Sequence, residues 1–281
     1  MRALAEYVMR GRIQAVMVAV LATGSVFLAW IGAAVVALVT LRQGTNQGAY
    51  VLFWALLPAL VIAWTGDTGP LSTLLGVTLA ATVLRSSQSW PLALSAAATA
   101  GLLTGLALIF LGEEYLQVLV TLVGDFFARL QEQNESLQLA APSMSQVAGL
   151  LGWGNALSVT LCLMLGRWWQ SLLYNPGGFK EEFQSFRLPP AMTIVLLLVA
   201  MGVGSLGVDF WFWALIAALP FIFAGFGLVH GVAAKRQLNS VWLGLFYFSW
   251  LLLDPVKVVL LLAVIVDSWI DLRARVASRQ A

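Results

Sequence analysis

Long apolar segments separated by short polar ones fill most of the chain. They cover residues 13–41, 48–65, 70–84, 91–112, 143–166, 191–207, 210–233 and 238–272. Apolar residues are continuous within them, as in VLFWALLPALVIAW, and do not alternate with polar residues as in membrane-spanning strands. A backbone in lipid must satisfy its hydrogen bonds internally, so continuous apolar segments predict helices. The sequence therefore predicts an all-α, polytopic transmembrane helical bundle.

Two of these segments, 13–41 and 238–272, are longer than the roughly 20 residues that one helix needs to cross the hydrocarbon. If each folds back, near residues 28–32 and at Asp254–Pro255, most basic residues fall on one side. That side then carries Arg2, Arg10, Arg12, Arg42, Arg85, Arg167, Lys180, Arg187, Lys235, Arg236, Arg273, Arg275 and Arg279. Because positive charge favours the cytoplasmic side, we expect eight to ten membrane segments, some short or re-entrant, with both termini cytoplasmic. Residues 1–281 are expected to form a single integral membrane domain.

Two stretches outside the long apolar segments have amphipathic patterns. Over 113–141, apolar residues recur at helical spacing between acidic ones, which predicts an amphipathic helix that lies on the outer surface or caps the bundle. Over 174–190, the sequence NPGG precedes Phe179, Phe183 and Phe186, which share one face of a helix. This second stretch is predicted to form a cytoplasmic interfacial loop and short helix, closed by two prolines.

Composition narrows the function. Hydrophobic residues make up 60% of the chain and charged residues 10%, which excludes a water-soluble globular fold. The net charge of +2 provides no basic surface for nucleic acid, so the expected partners are membrane lipids, another membrane protein or a small molecule. The single histidine, His230, excludes a multi-histidine metal site, and the single cysteine, Cys162, excludes an internal disulfide. No catalytic set of residues is evident, so we expect neither a cofactor nor an enzymatic activity.

Polar residues inside apolar segments are candidate binding residues, because burying them in lipid is costly. Asn155 and Ser158 lie about one turn apart in one such segment. Asn155 is expected either to bind a ligand or to hydrogen-bond another helix, with the helix contact favoured. Asp254 and Lys257 are expected to pair across Pro255 and neutralise a turn, or else to form a ligand or proton site.

Glycine motifs have a structural interpretation. The GxGxxG sequence at residues 202–207 lacks the strand-to-helix context of a dinucleotide site, so we interpret it as close helix packing. The same interpretation applies to glycine pairs four residues apart: Gly101 with Gly105, and Gly227 with Gly231.

Charged residues near the ends of the last apolar segments are expected to stabilise helices. Asp267, Asp271 and Arg275 recur every four residues and predict an ion-paired stripe on the last helix. His230 precedes Lys235 at another helix end and is expected to cap that helix.

Three stretches carry a resemblance to a known family. They are RIQAVMVAVLATG at 12–24, VTLRQGTNQGAYVLFWALLPAL at 39–60 and NPGGFKEEF at 175–183. In them the chain resembles the YybS-like family of bacterial polytopic membrane proteins of unknown function. The resemblance implies a multi-pass protein of the bacterial cytoplasmic (inner) membrane.

That family is distantly similar to the substrate-binding components of energy-coupling-factor vitamin transporters and to the cell-shape protein MreD. In the transporter group, small residues four apart on the first helix dock on a transmembrane coupling partner, and Ala15 and Ala19 match that spacing. The chain departs from the transporter pattern in its greater length, its larger number of predicted segments and its outer amphipathic stretch.

Two functions follow from these observations. The favoured one is a component that binds or transports a small molecule, with Asn155, Ser158, Asp254 and Lys257 as candidate binding residues. Since the chain has no GxxxxGK[ST] sequence, transport would need a coupled ATPase or an ion gradient. The alternative is an MreD-like membrane scaffold, which would dock other proteins through Phe179, Lys180 and Phe183.

Overall fold

The computed structural model describes residues 1–25, 27–134 and 140–276, and this part of the chain is all-helical. The helices in chain order are α1 (Arg2–Val8), α2 (Arg12–Thr23), α3 (Ala29–Gln43), α4 (Thr45–Trp64), α5 (Gly69–Ser87), α6 (Trp90–Leu111), α7 (Glu113–Gln133), α8 (Met144–Tyr174), α9 (Gly178–Ser185), α10 (Pro190–Gly204), α11 (Trp211–Lys235), α12 (Ser240–Leu252), α13 (Asp254–Ile270) and α14 (Leu272–Arg275). Two parts of the sequence predictions lie outside the described residues: positions 135–139 of the amphipathic stretch, and Arg279 among the basic residues.

Four helical spans are long and apolar enough to cross a membrane. They are α4, α6, α8 and the span Val208–Lys235, which contains α11. Two more are obtained if bent helix pairs count as one span each: α9 with α10, bent by 69°, and α12 with α13, bent by 111°. The described chain thus has four to six candidate spans, compatible with an integral membrane protein. The prediction of eight to ten segments also counted shorter helices, of which α2 and α3 rise only about 18 and 23 Å.

The apolar segment 13–41 is divided into two helices that pack against each other. The break lies between Thr23 and Ala29, slightly before the predicted turn. Gly32 permits the close contact, because a Cβ there would lie 3.0 Å from the carbonyl oxygen of Ala19. All residues of α3 from Gly32 to Leu41 are buried. The short helices α2 and α3 are therefore part of the packed core.

Helix α8 is the centre of the bundle and packs against α3, α5, α6 and α11. Small residues allow the helix axes to approach. A Cβ on Gly101 would lie 2.6 Å from the Ala156 Cβ, and one on Gly105 would lie 3.0 Å from the Ala148 carbonyl oxygen. The predicted close packing at this glycine pair is confirmed, since larger side chains would separate α6 from α8.

The packing interpretation of the GxGxxG motif is wrong. A Cβ on Gly202 would meet no atom within 4 Å, and one on Gly204 would be in ordinary contact with Ala214. Gly207 has a φ of +116° in the turn after α10, so there the glycine permits a backbone conformation rather than a helix contact.

The predicted stripe of Asp267, Asp271 and Arg275 is also wrong. Helix α13 ends at Ile270, and Asp271 adopts a left-handed conformation with a φ of +45°. Its side chain then accepts a hydrogen bond from the Ala274 amide and begins α14. The three residues have other partners: Asp267 pairs with Arg273, Asp271 pairs with Arg187, and Arg275 donates to the Ile270 carbonyl.

His230 does not cap α11. Its Nε2 atom lies 2.8 Å from the Tyr247 hydroxyl on α12, and its ring meets the Phe183 ring edge to face at 5.4 Å. The histidine therefore joins α9, α11 and α12 through polar and aromatic contacts.

Candidate functional site

Asn155 is the centre of a hydrogen-bond network that joins three helices. Its side chain, on α8, is 7% exposed. The Oδ1 atom accepts a hydrogen bond from the Thr73 hydroxyl of α5 at 2.9 Å, with the Ser72 hydroxyl at 3.3 Å. The Nδ2 atom donates to the Thr104 hydroxyl of α6 at 2.8 Å. The expected hydrogen bond between Asn155 and another helix is confirmed.

A cavity of about 390 Å³ lies beside this network, between the first turns of α5, the end of α6 and the first half of α8. Its polar lining consists of Asp67, Thr68, Ser72, Thr73, Thr104, Tyr115, Trp153, Asn155 and Ser158. The structure thus brings Asn155 and Ser158 together in one cavity. Hydroxyl, amide and indole groups from four helices converge on a small volume in an otherwise apolar bundle.

The turn before α5 shapes one wall of the cavity. Gly66 has a φ of +107°, which reverses the chain after α4. The Asp67 carboxylate then accepts a hydrogen bond from the Gly69 amide at 2.9 Å, and Pro70 follows in the first turn of α5. The local sequence therefore fixes Asp67 at the mouth of the cavity.

Tyr115 of α7 covers the same turn. Its ring lies 3.5 Å from the position that a Cβ on Gly66 would take. Burial and the nearby Asp67 carboxylate raise the pKa of the Tyr115 phenol above its usual value. The shift favours the neutral phenol, whose hydroxyl can donate a hydrogen bond.

The electrostatic character of the cavity selects against anions. Its lining includes the Asp67 carboxylate but no Lys, Arg or His from the described part of the chain. The Trp153 indole Nε1 is buried without a hydrogen-bond partner among the described residues. The cavity thus offers donors, acceptors and one negative charge, which suits a neutral or cationic polar molecule.

Asp254 and Lys257 do not line this cavity. Lys257 Nζ lies 2.7 Å from Asp254 Oδ1 in the first turn of α13, and both side chains are exposed. The two residues form the ion pair that their spacing predicts, at the break between α12 and α13.

The residues predicted to dock a partner contact other parts of this chain. Ala15 and Ala19 are 2% and 0% exposed, inside the core that α2 shares with its neighbours. Phe179 packs against the Trp90 ring at 6.0 Å, and Phe183 packs against His230. Lys180 is exposed.

Sequence reasoning missed most of the polar lining. Ser72, Thr73 and Thr104 are hydroxyl residues in apolar helices, where such side chains commonly bond to their own backbone. Asp67 follows a helix, so its position in the sequence predicts a turn residue. Only the adjacent Asp67, Thr68, Ser72 and Thr73 at the start of an apolar helix would have indicated a polar helix end.

A metal site has no basis in the described residues, where no three His, Cys, Asp or Glu side chains lie together. Comparison with known proteins adds no relative: no protein-family model, curated protein or solved structure matches the chain. What the cavity can bind therefore follows from its own side chains.

Proposed function

We propose that this chain is the binding component of a membrane transport system, and that it holds a small polar molecule in the cavity around Asn155. The observation that carries the proposal is the convergence of polar side chains from α5, α6, α7 and α8 on one cavity in an apolar bundle. Its volume of about 390 Å³ lies in the range of small-molecule sites. The bound molecule is neutral or cationic, because a carboxylate is the charged group in the described lining.

One polar side chain of the cavity lining has no hydrogen-bond partner in the described residues. Asn155 and its three hydroxyl partners satisfy one another, but the Trp153 indole has no such partner. A polar group that is buried without a partner costs roughly 1–3 kcal/mol. Nε1 is covered by protein atoms, so a ligand in the cavity would recover this cost after a side-chain movement that exposes it.

The proposed membrane arrangement follows the charges. We place the protein in a bacterial inner membrane as a multi-pass protein of the YybS-like family, with eight to ten segments and cytoplasmic termini. The support is the predominance of basic residues on one side of the folded-back arrangement. In this orientation, α7 and the cavity mouth face outward.

Transport against a gradient would need an energy source outside this chain. The sequence has no phosphate-binding loop of the GxxxxGK[ST] form. The proposed system therefore includes a coupled ATPase or an ion gradient. Because Ala15 and Ala19 are buried, a coupling partner would bind another surface.

The MreD-like scaffold is the second proposal and has less support. Two of its three docking residues, Phe179 and Phe183, contact aromatic side chains of the same chain, which leaves Lys180 exposed. An external partner at this loop would have to displace those contacts.

Native mass spectrometry of the protein gently purified from its own membrane tests the binding proposal. We expect a small-molecule adduct on the wild type that is diminished in Thr73→Val, because this substitution keeps the shape and removes a hydroxyl of the lining. Thr78→Val is the matched control on α5, since Thr78 bonds to the Leu74 carbonyl and does not line the cavity. A wild-type protein without any adduct, or equal adducts on both variants, would contradict the proposal.

A further inference from the structure

A second polar cavity lies at the opposite end of α5 and α8. It has a volume of about 480 Å³. Its polar lining consists of Arg85, Gln88, Trp90, Arg167, Gln170 and Glu182. The charged members are two guanidinium groups and one carboxylate, so the lining has one uncompensated positive charge. This cavity therefore has the opposite electrostatic character to the one around Asn155.

Arg167 is already neutralised within the cavity. Its Nε donates to Glu182 Oε2 at 3.0 Å and its Nη2 to Glu182 Oε1, so the ion pair has two parallel hydrogen bonds. The Trp90 indole also donates to Glu182 Oε2, at 3.2 Å. The Arg167 Nη1 donates to Gln170. The Glu182 carboxylate of α9 therefore neutralises the charge of the Arg167 guanidinium of α8.

Arg85 is held in place without an acidic partner. Its Nη1 donates to the Leu41 carbonyl, in the last turn of α3, where the carbonyl groups have no helical partners. The Gln170 side chain donates to the same oxygen at 3.3 Å. The remaining guanidinium nitrogens of Arg85 have no hydrogen-bond partner in the described residues.

Gly44 forms the turn against which this guanidinium lies, and its backbone conformation is one that favours glycine. It follows α3 with a φ of +109°, and a Cβ at this position would lie 3.7 Å from Arg85 Nη2. The glycine lets the chain turn from α3 into α4 while the guanidinium lies against the turn. The loop backbone and the helix end therefore orient Arg85 before any ligand arrives.

We propose that this cavity binds a phosphate group, and that Arg85 is its principal ligand. The free nitrogens of a guanidinium form the fork that matches phosphate oxygens. The Gln88 amide lines the same cavity and makes no side-chain hydrogen bond within the described chain, so it supplies a further donor. The single uncompensated charge of the lining matches the single negative charge of a phosphodiester.

The phosphate has two sources, an anionic phospholipid headgroup or a soluble phosphate. Both present the same oxygens to Arg85. The proposal is independent of the small-molecule site, because the two cavities share no lining residue.

The test compares two arginine variants of the full-length protein. Arg85→Gln removes the charge in the cavity. Arg42→Gln is the matched control, because Arg42 follows Leu41 on the same helix but stacks on the Tyr174 ring at 3.8 Å and does not line the cavity. Native mass spectrometry measures retention of phosphatidylglycerol against diacylglycerol, which has the same acyl chains but no phosphate. Isothermal titration with inorganic phosphate tests a soluble ligand.

We expect Arg85→Gln to weaken binding of the phosphate-bearing probe about tenfold, the effect of one lost charge-assisted hydrogen bond. Arg42→Gln should bind as the wild type does. If Arg85→Gln weakens lipid retention alone, the ligand is a lipid headgroup. If it weakens the binding of inorganic phosphate, the ligand is a soluble anion. If Arg85→Gln does not fold, Gln88→Ala should still reduce binding of the same probe.

The proposal is overturned if the wild type binds neither probe, or if both arginine variants bind as the wild type does. It is also overturned if diacylglycerol is retained as well as phosphatidylglycerol and inorganic phosphate does not bind.

Discussion

Helices α7 and α9 are both amphipathic, lie at opposite ends of α8, and are held in different ways. Leu116 is the buried residue of α7 in the described chain. Helix α9 is fixed by contacts from several helices: Glu182 pairs with Arg167, and its backbone approaches Gly227 and Gly231 of α11. The comparison teaches that amphipathic periodicity predicts a helix but not how firmly the bundle holds it.

The firm attachment of α9 depends on residues far away in the sequence. Arg273, which is 8% exposed, donates hydrogen bonds to the carbonyl oxygens of Gln184 and Phe186. Its charge is balanced by Asp267, 2% exposed, at 3.3 Å. Lys235 Nζ donates to the Arg273 carbonyl at 2.6 Å. The segment that contains Asp267 and Arg273 therefore packs over the C-terminal end of α9.

The largest expected effect comes from removing this arginine. Arg273→Leu leaves the Asp267 carboxylate buried without its cation, which costs about 3–5 kcal/mol of stability. Thermal unfolding in detergent measures the loss. Arg2→Leu is the control, because the Arg2–Glu6 pair is exposed and such pairs contribute at most about 1 kcal/mol. If the two variants had equal melting temperatures, the Arg273–Asp267 ion pair would not be the reason that α9 is firmly attached.

A smaller effect is expected at Leu116, the fully buried residue of α7 in the described chain. Leu116→Ala removes a fully buried side chain and should lower the local stability of α7 by about 2–3 kcal/mol. Hydrogen exchange of the α7 amides measures this opening. Leu122→Ala should leave the exchange unchanged, since Leu122 is 60% exposed. If Leu116→Ala does not accelerate exchange, α7 has another attachment and the contrast with α9 is smaller than we describe.

Two glycine-to-alanine substitutions should act with opposite signs. A Cβ at position 227 would lie 2.6 Å from the Phe183 carbonyl oxygen, so Gly227→Ala should push α9 away from α11 and destabilise the protein by about 1–2 kcal/mol. The Cβ of Gly124→Ala meets only Ala141 at 3.7 Å, an ordinary contact. There the helix preference of alanine should stabilise α7 by at most about 1 kcal/mol. A melting temperature of Gly227→Ala equal to or above that of the wild type would contradict the close approach of α9 to α11.

The smallest expected effect concerns the pH dependence of α7. Because the pKa of Tyr115 is raised, the folded protein favours the neutral phenol. This contribution to stability is present below the usual tyrosine pKa of about 10 and is lost as pH rises through the folded pKa. Asp67→Asn should move the Tyr115 titration, followed by tyrosinate absorbance, toward lower pH. Tyr115→Phe identifies the signal, and an unchanged titration would show that Asp67 does not act on this phenol.

The sequence was sufficient for the helical class and for several packing contacts. Continuous apolar segments predicted the helices, and the glycines at 101 and 105 predicted the close approach of α6 and α8. The contact between Asn155 and another helix was predicted from its cost in an apolar segment. Its partners were not, since Thr73 and Thr104 are 82 and 51 positions away. Hydroxyls of this kind satisfy themselves locally in many helices, so the sequence does not mark the ones that bond across the bundle.

Helix ends were harder to predict than helices. The four-residue spacing of Asp267, Asp271 and Arg275 continues across a break that neither glycine nor proline marks. Asp271 tolerates the left-handed conformation because its short side chain can bond to the local backbone. The phosphate-binding proposal has the same difficulty, because Arg85, Arg167 and Glu182 lie in three separate elements and read as ordinary membrane-flanking charges.

Helix α8 acts as a spacer of fixed length. Asn155 and Arg167 lie twelve positions apart on it, which separates the two cavities by about 18 Å along the helix axis. The Asn155 amide and the Arg167 guanidinium are therefore too far apart to contact the same small polar molecule. A movement of α8 against α5 would change both cavities, because both helices contribute residues to each lining.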